Sequence, residues 1–202
     1  KTIYDSGSSP VFMERKTVTL KSAVPAEEKF FSFWEETSGL TGIRNPRESF
    51  RIEDISTDAA GITHIRSVQV HKGTEIYGSH SVFHISPETE RFTGRIIRLP
   101  NDIELHPAIT PEEAQKIAVA DLKTLTTFRE LSEKEKQLLQ YREPESRTII
   151  YETTGKTNVL AYEIEIRPNI IEVWNYLIHA GTGEILRKFN GTHSDGAFTA
   201  SA

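Results

Sequence analysis

The chain contains no cysteine. That absence removes disulfides, thiolate zinc sites and cysteine nucleophiles together. Tryptophan occurs twice and methionine once in 202 residues. No apolar run approaches the roughly 20 residues that cross a bilayer as a helix. No long basic run exists, and the formal net charge is −5. Nucleic acid is therefore a poor partner. Residue 1 is Lys and not Met. Either a signal peptide has been removed or the chain was trimmed.

What is present is ordinary for a folded protein. The chain is 37% hydrophobic and 26% charged, which argues against overall disorder. Its length allows one domain of usual size or two small ones.

Hydrophobic spacing supplies the elements. Residues 1–15 read as loosely ordered, because "DSGSSP" is polar and turn-rich. In "AEEKFFSFWEETSGL", Phe30, Phe33, Trp34 and Thr37 recur at i, i+3, i+4 and i+7, one face of a helix. Glu27 and Glu28 fall in its first turn, where the helix dipole favours acids. "SFRIEDIST", "ITHIRSVQV", "IYGSHSVFHI" and "RFTGRIIRL" follow as strands of an antiparallel meander. "SFRIEDIST" alternates at Phe50, Ile52 and Ile55, with a slip.

A second unit starts near Asn101, after a linker at about residues 99–110 with two prolines. "TPEEAQKIAVADLKTL" opens with Thr110, Pro111 and Glu113, a capping box with proline at the first helical position. Ala114, Ile117, Ala118, Leu122 and Leu125 make its buried stripe. Ser132 and Glu135 repeat the capping device. The strands "RTIIYETT", "NVLAYEIEIRP", "IEVWNYLIHA" and "ILRKFN" close the unit. The turns "TGKTN" and "AGTGE" carry glycines for positive φ. The fold class is therefore α+β: two small modules in tandem, each an antiparallel sheet packed on helix. The tail "NGTHSDGAFTASA" has no core-forming period and reads as an extended end.

Four of the seven histidines crowd into residues 61–85: His64, His71, His80 and His84. His80 and His84 are four apart, which on a helix would suit one zinc ion. On a strand, four residues span roughly 13 Å, and both nitrogens must lie about 2 Å from the metal. That pair cannot share an ion on a regular strand. A cross-strand pair needs a register that the sequence does not supply. Sheet histidines are the expectation, with no metal bound by this chain. Glu163 and Glu165 share a face opposite the apolar row Leu160, Tyr162, Ile164 and Ile166. Nothing sets one of them as acid against the other as base. No nucleophile elbow, phosphate loop or dinucleotide fingerprint occurs. The residues by themselves do not describe an enzyme.

Two groups of residues carry a resemblance. Gly61, His64, Arg66, Gln69, Lys72, Gly73, Ile76 and Gly78 resemble the core motif of the FTP module. This is the propeptide module shared by fungalysin and thermolysin-type metallopeptidases. His71 stands where that family has an aromatic residue, and "TEI" replaces a more apolar, proline-containing segment. "TPEEAQKIAVADL", "LAYEIEI" and "VWNYLIHAGTGEIL" look like a PepSY module, with His179 in place of the usual Asp of the last turn. Together the two cover about residues 15–190. The ordered pair is similar to the propeptide of a secreted thermolysin-like zinc metallopeptidase of the M4 family.

The resemblance implies residues 1–100 as an FTP-like module, 101–190 as a PepSY-like module and 191–202 as an extended inhibitory tail. It implies a non-catalytic prosegment of a zymogen, acting as intramolecular chaperone and as inhibitor of its own catalytic domain until autoprocessing. The zinc-binding H-E-x-x-H would belong to that downstream domain. Zinc and calcium are expected there, with no cofactor in this chain. His64, Arg66, Gln69 and Gly73 are expected to fix the sheet and its turn. Trp174 and Tyr176 are candidates for the interface with the catalytic domain, though a core place for Trp174 is at least as well supported. Phe198, Thr199, Ala200, Ser201 and Ala202 are the candidate cleft-binding strand. Cleavage after Ala202 would leave a carboxylate able to approach the partner's zinc. The implied location is extracellular or periplasmic, after loss of a signal peptide. The rival readings are a freestanding extracellular peptidase inhibitor or PepSY-type binding module, and an enzyme using the histidine-rich hairpin.

Overall fold

A computed structural model describes residues 1–5, 10–16, 24–100, 103, 105–129, 132–138 and 146–191. The chain divides into two compact units, Lys1–Ile103 and Glu104–Ala202. Each is α+β.

The first unit opens with β1 (Thr2–Tyr4) and β2 (Pro10–Lys16). This corrects the expectation of a loose N-terminus. The polar "DSGSSP" obscures a short strand in which Met13 is buried. Opposite charges directly across the strands hold β2 to β7 (Thr89–Gly94): Glu14 faces Arg91 and Arg15 faces Glu90. Such cross-strand pairs favour one register.

Helix α1 (Ala26–Glu36) is followed by the short helices α2 (Ser38–Thr41) and α3 (Pro46–Ser49). The α1 stripe lies on the sheet. Phe30, Phe33 and Trp34 meet Phe50, Phe83 and Phe92, and Trp34 stacks on Phe50 at 4.6 Å. Phe31, off the stripe, is buried as well. It meets Phe30 edge-on at 5.2 Å, and Arg47 of α3 lies 4.4 Å from its ring centre.

Strand β3 (Phe50–Thr57) pairs with β4 (Thr63–His71). The slip in its alternation is a β-bulge, where register shifts between Ile52 and Asp54. An extra residue there rotates the rest of the strand, and Ile55 ends exposed. Strand β4 turns tightly into β5 (Thr74–Ile76) and also pairs with β6 (Ser81–Ile85), which pairs with β7. The run "IYGSHSVFHI" is thus two strands broken by a turn, and His80 lies outside both. Gly94, the last residue of β7, leaves no room for a side chain: a Cβ there would lie 2.5 Å from Ser81 Cβ.

The second unit has α4 (Pro111–Leu122), α5 (Glu133–Leu138) and strands β8 (Ser146–Glu152), β9 (Asn158–Ile166), β10 (Trp174–His179) and β11 (Ile185–Asn190). The four strands pair antiparallel in sequence order. The capping box forms: the Glu113 N–H donates to Thr110 Oγ1 at 3.2 Å and the Thr110 N–H to Glu113 Oε2 at 2.7 Å. Ala114, Ala118 and Leu122 pack on Leu160, Tyr162, Ile164 and Ile166. Leu125 is a correction: α4 ends at Leu122, and Leu125 is exposed. In "TGKTN" the positive φ falls on Lys156 and not on the glycine. Among the described residues no helix is long and apolar enough to cross a membrane.

Candidate functional site

The histidine-rich stretch folds as the β4–β5–β6 core of the first unit. Its residues divide by face. Ile65, Ser67 and Gln69 point inward and are buried, whereas Arg66 is exposed, in register with Asp54 and Val82.

Gln69 continues the sheet with its side chain. Its Nε2 donates to the Ile97 carbonyl at 2.8 Å, and its Oε1 accepts the Ile97 N–H at 3.0 Å. A carboxamide offers one donor and one acceptor, as a peptide unit does. The segment after β7 is held this way, which is why "RIIRL" is fixed without being a strand. The Gln69 N–H donates to Ser79 Oγ at 3.0 Å. Gly73 makes the β4–β5 turn. Lys72 and Gly73 have φ of 49° and 82°, the two positive values of a type I′ hairpin.

His64 meets His84 across the sheet, with Nδ1 atoms 2.8 Å apart. Burial lowers the His84 pKa first, and then the charges of His64 and Arg91. Asp58 holds its proton weakly, chiefly because the Ile62 N–H and the His64 ring donate to it. His80 stands elsewhere, 3.8 Å from Glu53 and 3.9 Å from Glu75. The sequence missed the His64–His84 pair. Register of β4 against β6 carries it, and that register depends on the path of the chain through β5.

In the second unit, Tyr176 is a core residue at 0% exposure. Burial raises its pKa, reinforced by the hydrogen bond to Asp121. Its hydroxyl donates to Asp121 Oδ2 at 2.8 Å, and Lys188 Nζ donates to the same carboxylate. Asp121 therefore ties α4 to β10 and β11. Trp174 is half-buried against the core and donates to Glu172 Oε2 at 2.6 Å. Glu163 and Glu165 pair with Arg147 and Arg167, not with each other. His179 fills the role of the expected Asp: its Nδ1 accepts the N–H groups of Gly181 and Thr182 at 2.9 and 3.2 Å. Phe198, Thr199, Ala200, Ser201 and Ala202 lie outside the described residues.

Lys188 first, and then Tyr176, hold the Asp121 pKa below its ordinary 3.8. A depressed carboxyl stabilises the fold above its unfolded pKa and loses that contribution as pH falls through its folded one. Asp121→Asn is expected to lower the thermal midpoint at pH 7, with the deficit shrinking below about pH 4. Melting both chains from pH 7 to pH 3 checks this; a deficit independent of pH would refute the charge account.

Comparison with known proteins agrees with these two constellations. Residues 48–90 match the Fungalysin/Thermolysin Propeptide Motif, and residues 108–189 match the Peptidase propeptide and YPEB domain. The chain is 30% identical over 151 residues to thermolysin of Alicyclobacillus acidocaldarius and to thermolysin of Bacillus caldolyticus. Each match covers 71% of this chain and 26% of the relative. It is 33% identical to the thermostable neutral protease NprT of Geobacillus stearothermophilus, covering 81% of this chain and 30% of that protein. The chain thus spans between a quarter and a third of these relatives. The Bacillus megaterium YpeB C-terminal domain is similar over 92% of this chain and 73% of that one, at 16% identity and a TM-score of 0.41. The matched modules are non-catalytic regions of protease precursors, and by the two of them this chain belongs to the propeptides of the thermolysin-like metalloproteases.

Proposed function

We propose that the chain acts on a thermolysin-like zinc catalytic domain in two ways: it assists that domain's folding and it blocks its cleft. The observation that carries this reading is the pair of propeptide modules, at 48–90 and 108–189. The physical logic is kinetic. A secreted protease survives by a high unfolding barrier. The same barrier slows unaided folding, and a template that binds the folding transition state lowers it. An active protease before export is harmful, so the template also inhibits. The catalytic domain is the partner, covalent at first and non-covalent after cleavage. Its zinc, and its calcium, are resident in that domain.

Residues 1–100 and 101–190 serve as the folded modules in this reading, and 191–202 as the tail. Phe198, Thr199, Ala200, Ser201 and Ala202 enter the cleft as an extended strand, hydrogen-bonding through the backbone as a peptide substrate does. The small side chains of Ala200, Ser201 and Ala202 make few demands on the subsites. A carboxylate released by cleavage after Ala202 has the oxygen donors that zinc accepts. While covalent, the tail acts at an effective concentration near millimolar. The setting is extracellular or periplasmic.

The test is a titration of a separate catalytic domain with residues 1–202 and with residues 1–190. The full chain is expected to inhibit at least tenfold more tightly. Equal inhibition by both would remove the tail from the mechanism. In parallel, denatured catalytic domain is refolded with and without the chain. No gain in active yield, together with no inhibition, would sink both roles.

A further inference from the structure

The register of β4 against β6 sets two imidazoles face to edge. His64 stands opposite His84; their Nδ1 atoms lie 2.8 Å apart, with the ring planes at 88°. The tautomer of His64 is fixed. Its Nε2 lies 3.0 Å from Asp58 Oδ2. An ionised carboxylate only accepts, so Nε2 carries a hydrogen, and in the neutral ring that leaves the lone pair on Nδ1. Asp58 is itself anchored. Its Oδ1 accepts the N–H groups of Ala60 and Ile62, each at 2.9 Å, in a turn that Gly61 makes at φ 78°. Proteins orient metal-binding histidines in this way, with a carboxylate on the distal nitrogen and the proximal nitrogen presented to the ion.

We propose that His64 and His84, oriented by Asp58, form a two-histidine site for a divalent first-row transition metal ion. Imidazole nitrogen suits zinc, copper and nickel. Two nitrogens bound at about 2.0–2.1 Å are roughly 2.9 Å apart at a right angle and roughly 3.3 Å apart at a tetrahedral angle. The pair is set at the short end of this range and needs to open by no more than about half an ångström. The protons balance. In the metal-free pair, His84 donates its Nδ1 hydrogen to His64 Nδ1. Binding moves that hydrogen to Nε2 of His84, so both Nδ1 lone pairs reach the ion and no net proton is released. Water completes the coordination; the His64 side chain is 27% exposed.

The neighbouring charges permit this. Arg91 stands opposite His84, but Glu14 Oε2 accepts from its Nε and one terminal nitrogen at 3.0 and 2.8 Å. A second cluster, Glu53, Glu75 and His80, brings its donor atoms within 4.8 Å of one another. There Arg51 already sits 2.7 Å from Glu75 and 3.7 Å from Glu53, so an incoming cation meets a cation. The inference rests on the first unit's geometry and is independent of the proposed function.

The test titrates the full 202-residue chain with Zn²⁺ alone. Calorimetry gives the stoichiometry and imidazole NMR gives the location. One ion per chain is expected, shifting the ring signals of His64 and His84 together. His84→Gln should weaken binding at least tenfold, and Asp58→Asn by about 10–100-fold. Asp58→Asn also loosens a turn. His84→Gln leaves that turn untouched, and the wild-type NMR needs no variant. Unchanged affinity in His84→Gln, shifts confined to His80, or no saturable binding up to millimolar Zn²⁺ would each overturn the site.

Discussion

Trp34→Ala is expected to cost the first unit roughly 3–5 kcal/mol, the range for deleting a large aromatic from a packed core. Trp34 is fully buried. It stacks on Phe50 and meets Phe30, Phe33 and Phe92 edge-on, with ring centres 4.6 to 6.1 Å apart. Its removal leaves a cavity between α1 and the sheet that aromatic neighbours cannot collapse to fill. A domain of this size is stable by only about 5–15 kcal/mol, so the loss is a large share of the whole. Trp174→Ala is the contrast. That residue is half-buried and bonded to the half-buried Glu172 carboxylate, and its loss should cost less than half as much. Urea unfolding followed by far-UV circular dichroism measures both. The chain has two tryptophans, so in Trp34→Ala the remaining fluorescence reports Trp174 alone. Equal losses for the two variants would mean that the aromatic cluster of α1 is not the core of the first unit.

Gln69→Leu is expected to cost about 2–5 kcal/mol, because it strands two buried polar groups at once. Ile97 is 2% exposed, and its N–H and carbonyl both pair with the Gln69 carboxamide. Leucine matches the bulk and satisfies neither group. Gln69→Glu discriminates further: a carboxylate still accepts the Ile97 N–H but repels the Ile97 carbonyl, so it should also destabilise. Arg66→Ala, three residues earlier in the same motif, should change stability by no more than about 0.5 kcal/mol, as surface substitutions do. The same urea assay decides. A loss of under 1 kcal/mol in Gln69→Leu would show that the segment after β7 is held by something other than this side chain. The contrast also divides the motif by role, with Gln69 and Gly73 shaping the sheet and the Arg66 side chain exposed.

Periodic features were legible in the sequence because they are local. The α1 stripe, the Thr110–Glu113 cap and the buried row of β9 follow from spacings of 3.6 and 2.0 residues. The slip in β3 shows in its own alternation, whereas the bulge behind it shows only in the pairing with β4. Features that depend on partners were not legible. β2 pairs with β7, more than seventy residues on, with Glu14 and Arg15 opposite Arg91 and Glu90, and β1 pairs with β2. Leu125 continues a helical pattern, yet α4 stops before it. Tyr176 and Trp174 sit two apart on one strand; the bond from Tyr176 to Asp121 on α4 goes with full burial of the first and half-burial of the second.

Local patterns along the chain suffice for the α+β class, the helices that cover each sheet and the motif residues by which the chain resembles a protease propeptide. Composition, spacing and turn chemistry act over a few residues, so one chain suffices to read them. What those residues do depends on the folded arrangement. It gave Gln69 a peptide group to hold, His179 the backbone N–H groups expected of an aspartate, and His64 a partner in His84. Strand register made those choices, and register is set by contacts between segments far apart in the chain.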